Sequence, residues 1–167
     1  MAVTGRLLRV GLLGCGTVGS HVARLLDAHA ADIERRVGCR IEIGRVGVRD
    51  PDRSRDVPVA PERFTADPYQ VVKDPEIDIV VELMGGVDPA KELILAAFDA
   101  GKPVVTANKE LLATVGRELF DAAERAAVDL YFEASVGGGI PLIHPLKESL
   151  AGERLQRVLG IVNGTTN

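Results

Sequence analysis

The feature that most constrains this chain is a glycine loop set between an apolar run and an amphipathic one. From Val10 the sequence reads V-G-L-L-G-C-G-T-V-G-S-H-V-A. Gly14, Gly16 and Gly19 satisfy the spacing G-x-G-x-x-G, directly after a short apolar stretch and directly before a helical pattern. In that context the first glycine permits a tight turn, the second lets a pyrophosphate approach the backbone, and the third lets helix pack on strand. Free N–H groups at the helix start, with the partial positive charge of the helix terminus, then face the phosphates. A plain strand–helix turn with incidental glycines is the competing reading.

The rest of the chain supports a nucleotide-binding sheet. Leu7–Leu13 is a predicted strand, followed by a predicted helix over His21–Val37 with apolar residues at Val22, Leu25, Leu26, Ile33 and Val37. Arg40–Val48 alternates as a second strand, and Arg49–Arg63, rich in Pro, Asp and Arg, is a predicted exposed loop. A helical turn over Asp67–Lys73 precedes a third strand, Ile77–Leu83. A helix over Pro89–Ala100 is expected, with Asp88 as its N-cap and Gly101 at its stop. Then come a strand at Val104–Thr106, a helix over Glu110–Ala127 with a possible break near Gly116, and a strand at Val128–Phe132. Short apolar strands alternating with helices predict an α/β fold of Rossmann type, a doubly wound parallel sheet with helices on both faces. This domain is expected to occupy residues 1–133. Residues 134–167 are expected to form a hinge and the start of a second, α+β domain for substrate and dimerisation, with a helix over Leu142–Leu150 and a strand over Arg154–Val162.

Composition narrows the function. The 167 residues carry a net charge of −4, and aromatic residues are 4% of the total with no Trp. Neither a basic field nor stacking platforms for nucleic acid are present. No apolar run approaches the ~20 residues of a membrane span, and the N-terminus lacks the features of a signal peptide. The two cysteines, Cys15 and Cys39, form no metal or disulfide pattern and read as reduced, which points to the cytoplasm. His21, His29 and His144 form no cluster.

Ligands of an open parallel sheet sit beyond the carboxyl ends of its strands. The second strand ends V-G-V-R-D, so Arg49 comes first, with Arg53 and Arg55 in the loop beyond. An arginine here can pair with a 2′-phosphate, which favours NADP(H) over NAD(H) and makes Arg49 the candidate; the same arginines also suit a solvated loop face. The third strand ends E-L-M-G-G, where Gly85 lets backbone lie against a cofactor or makes a simple turn. The fourth ends T-A-N-K, placing Lys109 where an ammonium can stabilise charge on a carbonyl oxygen, although an isolated lysine is usually solvated. The fifth runs into E-A-S-V-G-G-G-I-P, whose carboxylate and exposed carbonyls suit a hard cation, while the glycines equally suit a hinge.

Taken together, G-C-G-T-V-G, V-V-E-L-M-G-G, T-A-N-K-E-L-L-A, E-A-S-V-G-G-G-I-P-L-I and G-I-V-N-G-T-T-N resemble the homoserine dehydrogenases over essentially the whole chain. The resemblance implies NAD(P)H-dependent reduction of L-aspartate 4-semialdehyde to L-homoserine, on the route to threonine, methionine and isoleucine. It implies pyrophosphate contacts at Thr17 and Val18, a 2′-phosphate contact at Arg49, and Lys109 at nicotinamide and substrate. It further implies a monovalent cation site, Na+, at Glu133, Val136, Gly138 and Ile140, mostly through backbone oxygens. The family's proton donor, its substrate carboxylates and most of its homo-oligomer interface are expected beyond Asn167, so this chain resembles an N-terminal portion that binds cofactor with little turnover. The alternatives are another amino-acid or semialdehyde dehydrogenase, or an NADP(H)-binding module without chemistry.

Overall fold

The structure, a computed structural model, describes residues 5–159. Strand β1 (Arg6–Leu13) is the central ribbon, and it pairs in parallel with β2 (Cys39–Gly47) on one side and β4 (Ile79–Glu82) on the other. The short β3 (Phe64–Thr65) extends the β2 edge, and β5 (Val104–Thr106) and β6 (Leu130–Tyr131) extend the β4 edge. The order β3-β2-β1-β4-β5-β6, parallel throughout, is the doubly wound sheet expected from the sequence. Its order reverses between β1 and β4, which places the ligand crevice there.

Adjacent residues of a strand face opposite sides, so Leu12 and Leu13, both fully buried, anchor two different cores. Leu12 packs with Ile43, Val46 and Ala23 under helix α1 (Thr17–Ala28). Leu13 packs with Val80 and Val104 on the opposite face, beneath α3 (Tyr69–Val72), α4 (Ala90–Asp99) and α5 (Lys109–Ala126).

Several boundaries differ from expectation. The single helix expected over His21–Val37 starts earlier, at Thr17, and divides at His29 (φ −108°, ψ 14°) into α1 and α2 (Ala30–Val37). Apolar residues fall in both segments, at Val22, Leu25 and Leu26 and then at Ile33 and Val37, so the pattern carried no mark of the break at His29. Helix α4 is capped at Pro89 with no side-chain cap, so Asp88 is not the N-cap. Helix α5 kinks at Val115 (φ −131°), beside Gly116 where a break was expected. Beyond β6, the helix expected over residues 142–150 is present over residues 143–149, with Pro145–Ser149 in π-helical form, and residues 154–159 form no strand. Residues 160–162 of that expected strand lie outside the described residues. No layer of a second domain is therefore visible among the described residues.

Candidate functional site

The glycine loop lies at the carboxyl end of β1, hydrogen-bonded to the end of β2 through Gly14 N–H and Gly47 O (2.9 Å). Gly14 holds φ +96°, and a Cβ there would meet the Leu83 carbonyl oxygen at 2.9 Å. Gly19, inside the first turn of α1, is packed so tightly that a Cβ would lie 2.3 Å from the Gly14 oxygen. The third glycine thus brings helix against strand, as the motif requires. Gly16 is different: a Cβ there would meet nothing within 4 Å. Gly16 caps α1 without a side chain, so the N–H groups of Thr17, Val18 and Gly19 have no intrahelical acceptor and are available to an anion.

This loop forms one wall of a cavity of about 490 Å³ lined by Gly16, Thr17, Arg24, Arg53 and Arg55 among others. The opposite wall is the loop after β2. Arg24 reaches across from α1 and donates to the Asp56 carbonyl oxygen through Nε (3.0 Å) and Nη2 (2.6 Å), and its Nη2 also meets Oδ2 of Asp56 (3.3 Å). Arg55 is held by the carbonyls of Asp50 and Arg53, both at 2.8 Å, and lies over the Phe64 ring. The acidic residue that follows β2, Asp50, spends Oδ1 on the Arg53 N–H (3.2 Å). Arg49 is exposed and outside the residues lining this cavity. The sequence correctly marks this loop as arginine-rich, but the structure brings Arg53 and Arg55, rather than Arg49, to the cavity beside the glycine loop.

Two strands away, Lys109 opens α5 and is exposed. An ammonium at a helix N-terminus opposes the macrodipole, so helix stability does not explain it. The helix start is fixed by Asn108, whose Oδ1 accepts from Leu111 N–H (3.1 Å) and whose Nδ2 donates to the Gly86 oxygen (2.6 Å). Gly85, at φ +78°, sits exposed in the turn after β4 and donates to Glu82 Oε1 (3.3 Å).

That carboxylate is a buried charged residue at the strand ends that the sequence reading passed over. Glu82 ends β4 fully buried and accepts from Met84 N–H (2.7 Å), Gly85 N–H and Thr106 Oγ1–H (2.6 Å). A charge directly after the apolar run Ile79–Val81, with Leu83 beyond it, is the signal that could have found it.

At the loop after β6, the Glu133 carboxylate accepts N–H groups of Leu142, Ile143 (3.0 Å) and His144 (2.6 Å). The backbone bonds from His144 and then Leu142 hold its pKa below the ordinary glutamate range. The side chain is therefore committed to the backbone. The carbonyl oxygens of Val136, Gly138 and Ile140 accept no hydrogen bond among the described residues, so they, with the Glu133 carbonyl, have the donor chemistry that a hard monovalent cation takes. No cluster of three or more His, Cys, Asp or Glu suited to a metal occurs among the described residues. No helix of the described residues is long and apolar enough to cross a membrane.

A parallel sheet of order 3-2-1-4-5-6, with its glycine loop and open helix N-terminus at the switch point, defines a nicotinamide-dinucleotide-binding domain. Residues 14–133 match the family model described as homoserine dehydrogenase, NAD binding domain. The chain belongs to the homoserine dehydrogenase family. It is 48% identical over 163 residues to the homoserine dehydrogenase of Corynebacterium glutamicum, covering 98% of this chain and 36% of that protein. It is 52% identical over 158 residues to that of Mycobacterium bovis, covering 95% and 35%. The crystal structure of a homoserine dehydrogenase from Thiobacillus denitrificans superposes with a TM-score of 0.79 at 46% identity, over 88% of this chain and 34% of that one. The chain thus spans about a third of the length of the curated relatives it matches.

Proposed function

We propose that this chain supplies the cofactor-binding part of an NADP(H)-preferring homoserine dehydrogenase, which interconverts L-aspartate 4-semialdehyde and L-homoserine. The observation that carries the reading is the open amide cradle at Thr17–Gly19, with Lys109 two strands away at the same end of the sheet. At about 4.8 Å per strand that spacing is about 10 Å, the scale on which a dinucleotide spreads from pyrophosphate to nicotinamide. A bound NADPH supplies the hydride that goes to the aldehyde carbon. The chain's own residues do the rest of the binding. Thr17, Val18 and Gly19 hold the pyrophosphate on backbone N–H groups, while Gly14 makes the tight turn and Gly16 leaves the room for the phosphates to approach. Gly85 lines the route of the dinucleotide toward its nicotinamide end. Lys109 stabilises the negative charge that develops on the substrate oxygen and orients the reactants. Because the chain spans about a third of its relatives, the proton donor and the groups that grip the substrate's amino-acid end fall, on this reading, outside it.

The domain division at residue 133 follows the same reading. The loop beyond it would serve both as hinge and as a seat for Na+ on the carbonyls of Glu133, Val136, Gly138 and Ile140. The cytoplasm and a homo-oligomeric full-length enzyme are the expected setting.

The test is calorimetric titration of the chain with NADPH and NADH, for wild type, Arg49→Ala and Arg55→Ala. Tighter NADPH binding, lost selectively in one arginine variant, supports the preference and names the 2′-phosphate partner. Equal affinity for the two cofactors would refute the NADP preference, and binding of neither would refute the cofactor reading. Homoserine-dependent reduction of NADP+ by the full-length protein tests the reaction itself.

A further inference from the structure

Glu82 is a carboxylate where the fold asks for an apolar residue. It ends the strand next to β1, is fully buried, and has no Lys, Arg or His partner among the described residues. Burying a charge is costly unless donors surround it. Here the donors are three neutral groups drawn from two different loops. Oε1 takes Met84 and Gly85 N–H from the turn after β4, and Oε2 takes the Thr106 hydroxyl at the end of β5. The network then extends in both directions. Thr106 Oγ1, itself fully buried, accepts the Asn108 N–H (3.0 Å), and Asn108 closes back on the Gly86 oxygen and caps the helix that begins with Lys109. The Thr106 carbonyl accepts from Ser135 Oγ (2.8 Å), at the start of the loop that carries Glu133.

All of these groups stand at the carboxyl ends of β4, β5 and β6, on the side of the switch point away from the β2 loop. An apolar side chain would fill the same volume but tie nothing together. We propose that Glu82 is a positioning residue for hydride transfer. Through Met84, Gly85 and Thr106 it fixes the two strand-end loops that flank the nicotinamide end and sets the helix start that aims Lys109. The proposal rests on the dehydrogenase reading above.

The test uses the full-length protein and the variants Glu82→Gln, Thr106→Val, Thr106→Ser, Lys109→Ala and Glu82→Gln/Lys109→Ala. Glutamine keeps the volume and one acceptor but cannot accept from both loops at once. The expected result is a kcat lowered by about 10- to 100-fold, the range a small misplacement of reacting groups produces. NADPH affinity stays within about twofold, because the pyrophosphate cradle lies across β1 and acts independently. The double variant loses less than the two single losses combined, since part of what Glu82 does runs through that lysine. An unchanged kcat in folded Glu82→Gln overturns the proposal. So do additive losses in the double variant, or a loss of cofactor affinity equal to the loss of rate, which marks general loosening. If Glu82→Gln does not fold, the Thr106 pair decides: serine recovers the rate that valine loses if the hydroxyl link matters, and does not if the proposal is wrong. Absence of turnover in wild type defeats the dehydrogenase reading instead. Amide exchange in the 167-residue chain then decides the positioning: faster exchange at Asn108 and Leu111 in Glu82→Gln supports it, and unchanged exchange there overturns it.

Discussion

Two alanine substitutions in one loop should separate ligand binding from folding. In Gly19→Ala the new Cβ lies 2.3 Å from the Gly14 oxygen and 3.1 Å from its carbon, both backbone atoms that cannot swing aside. An ordinary carbon–oxygen contact is about 1 Å longer, so α1 must lift from β1 by a similar distance. Overpacking of this kind costs about 1–3 kcal/mol, partly offset by up to about 1 kcal/mol for replacing glycine within a helix. For a chain of this size, a net loss of about 1–2 kcal/mol lowers Tm by roughly 2–8 °C. The cofactor should suffer as well, because lifting α1 moves the three open N–H groups. Gly16→Ala poses the opposite case. Its Cβ meets nothing within 4 Å and its φ of −84° suits any residue. The stability change is confined to the weaker capping of alanine, about 1 kcal/mol or less. Yet its methyl group projects into the space where backbone and pyrophosphate should touch. Calorimetric NADPH titration should show affinity falling at least about tenfold in both variants, with thermal denaturation showing a large drop in Gly19→Ala alone. Wild-type affinity in Gly16→Ala would show that the pyrophosphate does not lie on this loop, whatever the fold resembles.

Two further outcomes follow from charged groups. Lys102, 6% exposed at the foot of β5, donates to the carbonyls of Asp74 and Ile77, and burial lowers its pKa against the pull of Asp74 and Asp78. The unfolded chain therefore holds this proton more tightly, so Lys102 makes stability rise as pH climbs through its lowered value toward about 10.4. Lys102→Met should abolish that slope and cost about 1–3 kcal/mol by stripping two carbonyls of their donor, and denaturant unfolding at pH 7 and 9.5 showing no change in either would count against it. Glu133 has the opposite sign: its lowered pKa gives stability that is complete above about pH 4.3 and lost as pH falls through the folded value. Amide exchange at Leu142, Ile143 and His144 should accelerate on acidification in wild type and be fast at neutral pH in Glu133→Ala; protection retained in that variant would contradict the capping role.

The sequence displayed the part of the site that depends on absent side chains. Glycines at 14 and 19 are visible because backbone approaches backbone there too closely for a side chain, and Gly16 completes the spacing of the motif. The strands were visible for a related reason. A strand buried on both faces is apolar nearly throughout, as in Leu12 and Leu13, which serve opposite cores. What the sequence concealed depends on how loops fold back. Arg49, Arg53 and Arg55 are equivalent on paper, and only the Arg24–Asp56 contact and the seat of Arg55 on Phe64 bring the latter two to the cavity. The three amide partners of the Glu133 carboxylate were hidden because they lie 9 to 11 residues further on, where the chain enters the helical segment over residues 143–149.

Glu82 shows why a pattern-based reading misses residues of this kind. Periodicity assigns a buried position to the core and assumes that the core is apolar. A carboxylate at such a position is recognisable only through its donors, and here they come from residues 84, 85 and 106. Two of those donors are backbone N–H groups, which every non-proline residue carries and which therefore leave no mark in the sequence. The third, Thr106, ends a strand where a threonine is ordinary. Each member of the network is unremarkable alone, and its meaning lies in β4 and β5 being parallel neighbours with Glu82 in register with Thr106. The pairing that makes the sheet also lets one carboxylate govern the turn after β4 and the start of α5.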